Sequence, residues 1–336
     1  MSKPSRNYQT GRTLGSGTYS VVKEVVDVET GKEMNKEHTR GHKDMVLNEI
    51  EMLRRISGGT KNMITLSDYF ETSHNIYICY DLCTGGNVFH RVCKKGTYVE
   101  GDAAVLVRNL CTDIVYIHSK GIVHGDLKPE NLLLRIPENN SPVMIADFGL
   151  ARELGKDDDG KTSLLTGVHG SPLYMAPEIY GKTGYEKPVD IWALGVITYF
   201  LLVGRTPFER KKDKESEKRA ILKGDLNFEP LQDWRSVSQT AQDFIRRCLT
   251  LNPNERMTAE ECLEHEFDLL PKQSGSDEAP MSSADIFQLS SFFSVDPLAE
   301  KAKANRIQIQ PSPHLFSESP QNFRILVPPF VCLTLE

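Results

Sequence analysis

Asp126, Lys128 and Asn131 share the run HGDLKPEN (124–131), and Asp147-Phe148-Gly149 follows a little further on. A carboxylate, an ammonium and an amide at such offsets suit the movement of a phosphoryl group, which asks for positioning and charge neutralisation more than for covalent chemistry. In that chemistry Asp126 orients the hydroxyl nucleophile and Lys128 steadies the moving group. Asn131 and Asp147 supply oxygen ligands suited to hard Mg²⁺. Upstream, Gly15-Ser16-Gly17 opens a turn between two apolar stretches. Glycine there lets the backbone approach phosphate oxygens, and Val22 is placed to cover a planar base. That turn by itself equally fits an ordinary hairpin. Its place ahead of Asp126, Asn131, Asp147 and the later Met175-Ala176-Pro177-Glu178 separates the set from unrelated polar turns.

These residues need elements to hold them. TLGSGTYSVVKEVVDVETGKE alternates like strands around a Thr30-Gly31 turn. KDMVLNEIEMLRRI puts Met45, Val46, Ile50, Leu53 and Ile56 on one helical face. MITLSDYFETSHNIYICYDL reads as two more strands, so an antiparallel sheet with one helix accounts for residues 10 to 82. From residue 102 the period becomes helical: Val107, Leu110, Cys111, Ile114 and Ile117 share a face, and Gly121 supplies a C′ stop. Short strands at 132–134 and 143–146 follow, then helices at 189–203, 238–249 and 258–264, the last opened by the capping-box spacing of Thr258 and Glu261. PKQSGSDEAPMSSAD begins a Ser-, Pro- and acid-rich tail that reads as loosely ordered, although its final ILVPPFVCLTL is apolar.

The 336 residues, 39% hydrophobic and 26% charged, suffice for one large domain or two lobes with real cores. A formal charge of -6 without a Lys/Arg stripe gives no reason to expect a nucleic-acid partner. Seven scattered Cys without a C-x-x-C pair suit a reduced intracellular protein, with the cytoplasm as the expected location and the nucleus not separated from it. MSKPSRNYQTGRTLG has no apolar secretory region. The longest apolar run, Val189 to Val203, falls short of the roughly 20 residues a membrane span needs. It reads as a buried helix, and no membrane association is expected.

GGNVFHRVCKKGTYVE, GIVHGDLKPENLL, IADFGLAR, KPVDIWALGVITYFLLVGRTPF and FIRRCLTLNPNERMT together resemble the fungal calcium/calmodulin-dependent serine/threonine protein kinases, over residues 8 to 268. The resemblance implies an α+β, bilobal fold: a small antiparallel-sheet N-lobe over 8–82, a mainly helical C-lobe over 83–268, and a tail over 269–336. It implies ATP and Mg²⁺ as cofactors and a protein substrate. Asp126 and Lys128 become the catalytic pair, and Asn131 and Asp147 the metal ligands. Gly15, Ser16, Gly17, Val22, Glu49, Asp81, Cys83 and Leu133 fall in the nucleotide-binding set, with Asp81 to Cys83 as the hinge. Tyr80 closes the back of the adenine pocket, Asp190 ties the catalytic loop to its supporting helix, and Arg256 pairs with Glu178.

The chain departs from that pattern in several places. The family carries a phosphate-gripping lysine on its third strand, ahead of the helix that holds its partner Glu49. Here only EMNKEHTRGHKDMVL separates Thr30-Gly31-Lys32 from Asn48-Glu49-Ile50. About five residues are missing by comparison with the family, so the third strand is expected to be shortened and the lysine lost. Lys36 is the best stand-in, one place out of register; Lys23 neighbours Val22 and so alternates away from the cleft, and Lys32 reads as a solvated turn residue. Gly125 replaces an arginine that receives an activation-loop phosphate, and Gly167 stands where the phosphorylated threonine falls. Receptor and signal are both gone, so no phosphorylation switch is expected. Asn87 replaces a glutamate and costs a charge toward basic peptides; Ser171 replaces a threonine and keeps the hydroxyl.

The tail holds no basic amphipathic stretch after the last kinase helix, and LAEKAKANRIQI is its nearest approach to one, so calmodulin is a doubtful partner. Three readings stay open: a Ser/Thr kinase, slowed and not phospho-activated; a pseudokinase that binds nucleotide or other proteins; and an ordinary kinase whose coding sequence has lost short pieces near residues 33 and 268. The surviving Asp126, Lys128, Asn131 and Asp147 favour the first.

Overall fold

The structure, a computed structural model, describes residues 8–16, 20–39, 43–72, 75–138, 141–155, 162–181, 184–209 and 213–269. Gly17, the tail from 270 onward and the calmodulin-like candidate within it lie outside the described residues. For Gly15, Ser16 and Lys36 the backbone alone is described.

Five strands build the first lobe: β1 (Tyr8–Ser16), β2 (Ser20–Asp27), β3 (Glu33–Thr39), β4 (Leu66–Glu71) and β5 (Ile76–Asp81). They stand antiparallel in the order β1-β2-β3-β5-β4. Asp27 makes the turn between β2 and β3, its Oδ1 accepting from the Glu29 and Thr30 amides while its carbonyl accepts from Gly31, which sits at φ 70. Helix α1 (Lys43–Ile56) buries Val46, Ile50, Leu53 and Ile56 of the expected apolar face, leaves Met45 half-buried, and buries Met52 besides.

A third strand forms within the short stretch after Lys32. β3 runs seven residues and pairs with β2 and β5 along its length. A strand in mid-sheet must satisfy backbone groups on both edges, and β3 does so through β2 and β5.

The second lobe is mainly helical. Helices α2 (Val88–Lys95) and α3 (Glu100–Ser119) lead to four short strands, β6 (Ile122–Val123), β7 (Leu132–Leu134), β8 (Val143–Ile145) and β9 (Arg152–Glu153). These pair β6 with β9 and β7 with β8. Helices α4 (Pro177–Tyr180), α5 (Pro188–Val203), α6 (Lys214–Lys223), α7 (Gln239–Cys248) and α8 (Ala259–Glu264) follow. α5 is buried from Val189 to Val203, as expected of a helix running through a core. α8 opens with the predicted capping box, Glu261 N donating to Thr258 Oγ1 and Thr258 N to Glu261 Oε2. Among the described residues no helix is long and apolar enough to cross a membrane.

Candidate active site

The loop between β6 and β7 carries Asp126, Lys128 and Asn131, and all three are buried. Lys128 Nζ donates to Asp126 Oδ2 at 2.7 Å and to Ser171 Oγ at 2.8 Å. Ser171 N donates to Asp126 Oδ1 at 2.8 Å. Asn131 Nδ2 donates to the Asp126 carbonyl at 2.9 Å, which folds the loop over itself. Burial alone would lower the Lys128 pKa, but the carboxylates of Asp126, Asp147 and Glu130 outweigh it and raise it, so the ammonium is fixed as a cation.

Asp147 follows β8 at φ 62, a left-handed conformation that a non-glycine residue holds only where its surroundings impose it. Burial raises its pKa against the pull of the Lys128 ammonium, and Asp126 adds to the rise. A carboxylate in that state gains from a cation. Asn131 Oδ1 is a buried oxygen with no hydrogen-bond partner. One buried acceptor and one desolvated carboxylate fit Mg²⁺, which takes few protein oxygens when phosphates and waters complete its shell. Among the described residues no group of three His, Cys, Asp or Glu could hold a metal alone, so such an ion would depend on the nucleotide.

Asp190, the third residue of α5, holds the loop from beneath. Its Oδ2 accepts from His124 N and contacts His118 Nε2, and its Oδ1 accepts from Gly125 N, each at 2.9 Å. Burial would raise its pKa; the hydrogen bond and charge of His118, helped by His124 and the Gly125 amide, leave it lowered. Gly170 sits at φ 117, where an added Cβ would lie 2.9 Å from the Gly125 carbonyl, so glycine is needed for the Ser171 amide to reach Asp126.

A profile of the protein kinase domain family matches residues 8–267. The chain belongs to that family. It is 52% identical over 263 residues to the calcium/calmodulin-dependent protein kinase cmkB of Emericella nidulans, covering 77% of this chain and 64% of that protein. It is 47% identical over 266 residues to the calcium/calmodulin-dependent protein kinase type I of Schizosaccharomyces pombe, covering 77% and 78%. The Homo sapiens type 1B enzyme is 40% identical over 266 residues, covering 77% and 74%. The chain thus spans somewhat less than two thirds of the Emericella protein.

In this kinase domain Val22 lies in β2 opposite Gly15, and Leu133 lies in β7 opposite Met144. Tyr80 and Cys83 are buried, and burial pushes the Cys83 thiol up to about 12. The Asp81 side chain is occupied: it accepts from Thr65 N at 3.1 Å and lies within 4 Å of Lys32 and Arg135. Lys32 therefore does more than solvate a turn, and it also donates to Ser67 Oγ at 2.8 Å. Glu49 is half-buried on α1. Lys36 pairs with Lys23 and Cys79, so it shares the alternation of Val25, Met34 and Cys79 and not that of Val22 and Tyr80. This register gives no support to Lys36 as the substitute clamp, because alternate residues of a strand belong to opposite faces.

Arg256 pairs with Glu178 as expected, at 2.6 and 3.0 Å. Asn87 has a local use: its Oδ1 accepts from His90 N at 2.8 Å and caps α2, a position that favours asparagine. Two groups escape the sequence reading. Glu130 Oε2 is buried without a hydrogen-bond partner, and burial raises that carboxyl despite Lys128. Asn48, beside Glu49, reaches the segment that follows Asp147. Adjacency to Lys128 within HGDLKPEN is the one signal that could have pointed to Glu130, whereas no local pattern marks Asn48.

Proposed function

We propose that this chain transfers the γ-phosphoryl group of ATP to Ser or Thr hydroxyls of proteins, slowly and without activation by phosphorylation. The closed group of Asp126, Lys128, Asn131 and Ser171, with Asp147 beside it, is the observation that carries the reading. In it Asp126 orients the incoming hydroxyl and accepts its proton as the new O–P bond forms and the bond to ADP breaks. Lys128, held cationic, balances charge on the transferring group. Asn131 and Asp147 would hold Mg²⁺, whose charge would neutralise the phosphate oxygens. Val22, Leu133 and the hinge about Asp81 to Cys83 enclose the base. A cytoplasmic setting belongs to the same proposal.

The reduced rate follows from the lost strand lysine, and the lack of phospho-activation from Gly125 and Gly167. The relatives are named for dependence on calcium and calmodulin. For this chain we propose no tight calmodulin capture, since PKQSGSDEAP stands after HEFDLL where a basic amphipathic stretch would be needed. The missing lysine also favours a second reading, a nucleotide-binding pseudokinase. Incorporation of radiolabelled phosphate into Ser/Thr peptides separates the two: wild type above Asp126→Asn supports transfer, and equality of the two leaves the pseudokinase.

A further inference from the structure

Asn48 lies at the middle of α1 and is half-buried. Its Nδ2 points at three backbone carbonyls of the segment after Asp147: Phe148 O at 3.3 Å, Gly149 O at 3.1 Å and Ala151 O at 2.9 Å. Three acceptors around one nitrogen fix the amide's orientation, since its oxygen in that place would meet only other oxygens. The chain turns back on itself here, with Ala151 N donating to Phe148 O at 3.1 Å and Gly149 N to Asp147 Oδ1 at 3.4 Å. The turn that Asn48 grips is therefore the turn that aims the Asp147 carboxylate. Two helical turns further on, Arg55 forms a two-pronged ion pair with Glu153 of β9. The Glu153 carboxyl is lowered by that hydrogen bond. α1 is thus attached to this segment at two points on one face.

We infer that Asn48 is a positioning residue that sets the Asp147 carboxylate for the metal-nucleotide, through the carbonyls of Phe148, Gly149 and Ala151. The inference rests on the Mg-nucleotide part of the proposed function. The chain has lost the strand lysine that ties the helix to the phosphates through Glu49 in the family. The amide of Asn48 reaches the metal side of the site without needing that lysine. A carboxylate at position 48 is the most informative replacement: it has the same shape, offers no donor, and faces three carbonyl oxygens. Groups that orient a metal ligand from behind typically matter about 10- to 100-fold to metal affinity.

The test is calorimetric titration of ATP into the full chain, with and without Mg²⁺, for wild type, Asn48→Asp and Asn48→Ala. The quantity compared is the gain in ATP affinity that Mg²⁺ brings. Asn48→Asp is expected to cut that gain by about tenfold or more, while metal-free ATP affinity stays within about twofold, because the base and hinge contacts are untouched. Asn48→Ala moves the same way by a smaller factor and carries the comparison if Asn48→Asp does not fold. Amide exchange over residues 148–152, measured without nucleotide or metal, is expected to quicken in both variants. A gain equal to that of wild type in both variants overturns the inference, as does an equal loss of affinity with and without metal, which marks general loosening. Absence of any ATP binding by wild type removes the proposed function together with the inference; normal wild-type binding with unaffected variants removes the inference alone.

Discussion

Asp113 shows how one buried residue can set a pH dependence. It lies fully buried in α3, one oxygen accepting from the Thr60 hydroxyl and the other without a partner. Burial pushes its pKa up to about 6 against the Thr60 hydrogen bond. Between its ordinary 3.8 and about 6 the folded chain keeps a proton that the unfolded chain has released. Stability therefore falls as pH rises through that window and is level above it. Asp113→Asn keeps an acceptor for Thr60 and removes the titration. Its melting temperature relative to wild type is expected to climb from pH 4 to pH 6, by up to roughly 3 kcal/mol of relative stability. A difference that does not change with pH counts against the assignment. Gly125 offers a second case at this scale. It sits at φ 74, and an added Cβ would meet nothing closer than the Leu150 carbonyl at 3.8 Å. Backbone strain is then the main obstacle to a side chain, of order 1 kcal/mol. Gly125→Arg with Gly167→Thr is expected to gain a response to an upstream kinase that neither single change gives, since the phosphate needs both a bearer and a receptor.

Elements explain what the sequence could and could not reveal. α1 is observed at Lys43–Ile56 because its apolar face repeats without a break, and α5 and α8 are marked by a long apolar run and a capping box. α2 and α6, of eight and ten residues and capped by Asn87 and Asp213, were not singled out as helices. β3, counted as short against the family, still runs seven residues, because pairing on both edges holds it. Its register yields a prediction: Lys36→Ala is expected to change phosphate transfer by less than about twofold. A loss far beyond that restores Lys36 as the clamp. The join between α4 and α5 yields another. Arg256 is fully buried; it pairs with Glu178, donates to Pro188 O at 2.8 Å and Thr250 O at 2.9 Å, and lies over the Trp192 ring. Arg256→Met leaves the Glu178 carboxylate without its partner and is expected to cost roughly 3–5 kcal/mol in denaturant unfolding. Arg256→Lys recovers only part of that, because lysine lacks the planar fork.

At the scale of the whole molecule, the parts of the site that lie close together in the sequence were legible. Asp126, Lys128, Asn131 and Asp147 stand at offsets that one loop and one hairpin preserve, so their residue types and spacing, matched to the kinase pattern, picked them. Of the contacts that tertiary packing creates, the family resemblance supplied those of Asp190 and of Arg256 with Glu178, and two others were not legible: Ser171 completes the Asp126–Lys128 pair from 45 residues away, and Asn48 reaches Gly149 across 101 residues. These long contacts are what assemble the site. Asp190 fixes the catalytic loop, the Leu165 and Tyr185 backbones exchange hydrogen bonds of 2.9 Å that fasten the loop ahead of the Ser171 contact, and α1 grips the segment after Asp147. The central claim is that packing of this kind, with no phosphate latch, prepares the chain for transfer. It is tested most directly by the rate of radiolabelled phosphate transfer to Ser/Thr peptides. The proteins compared are wild type after phosphatase treatment, wild type after an upstream kinase, and Asp126→Asn. The account predicts a slow rate that is the same for both wild-type preparations and is absent from Asp126→Asn. A large rise after the upstream kinase, or a wild-type rate no higher than that of Asp126→Asn, would contradict it.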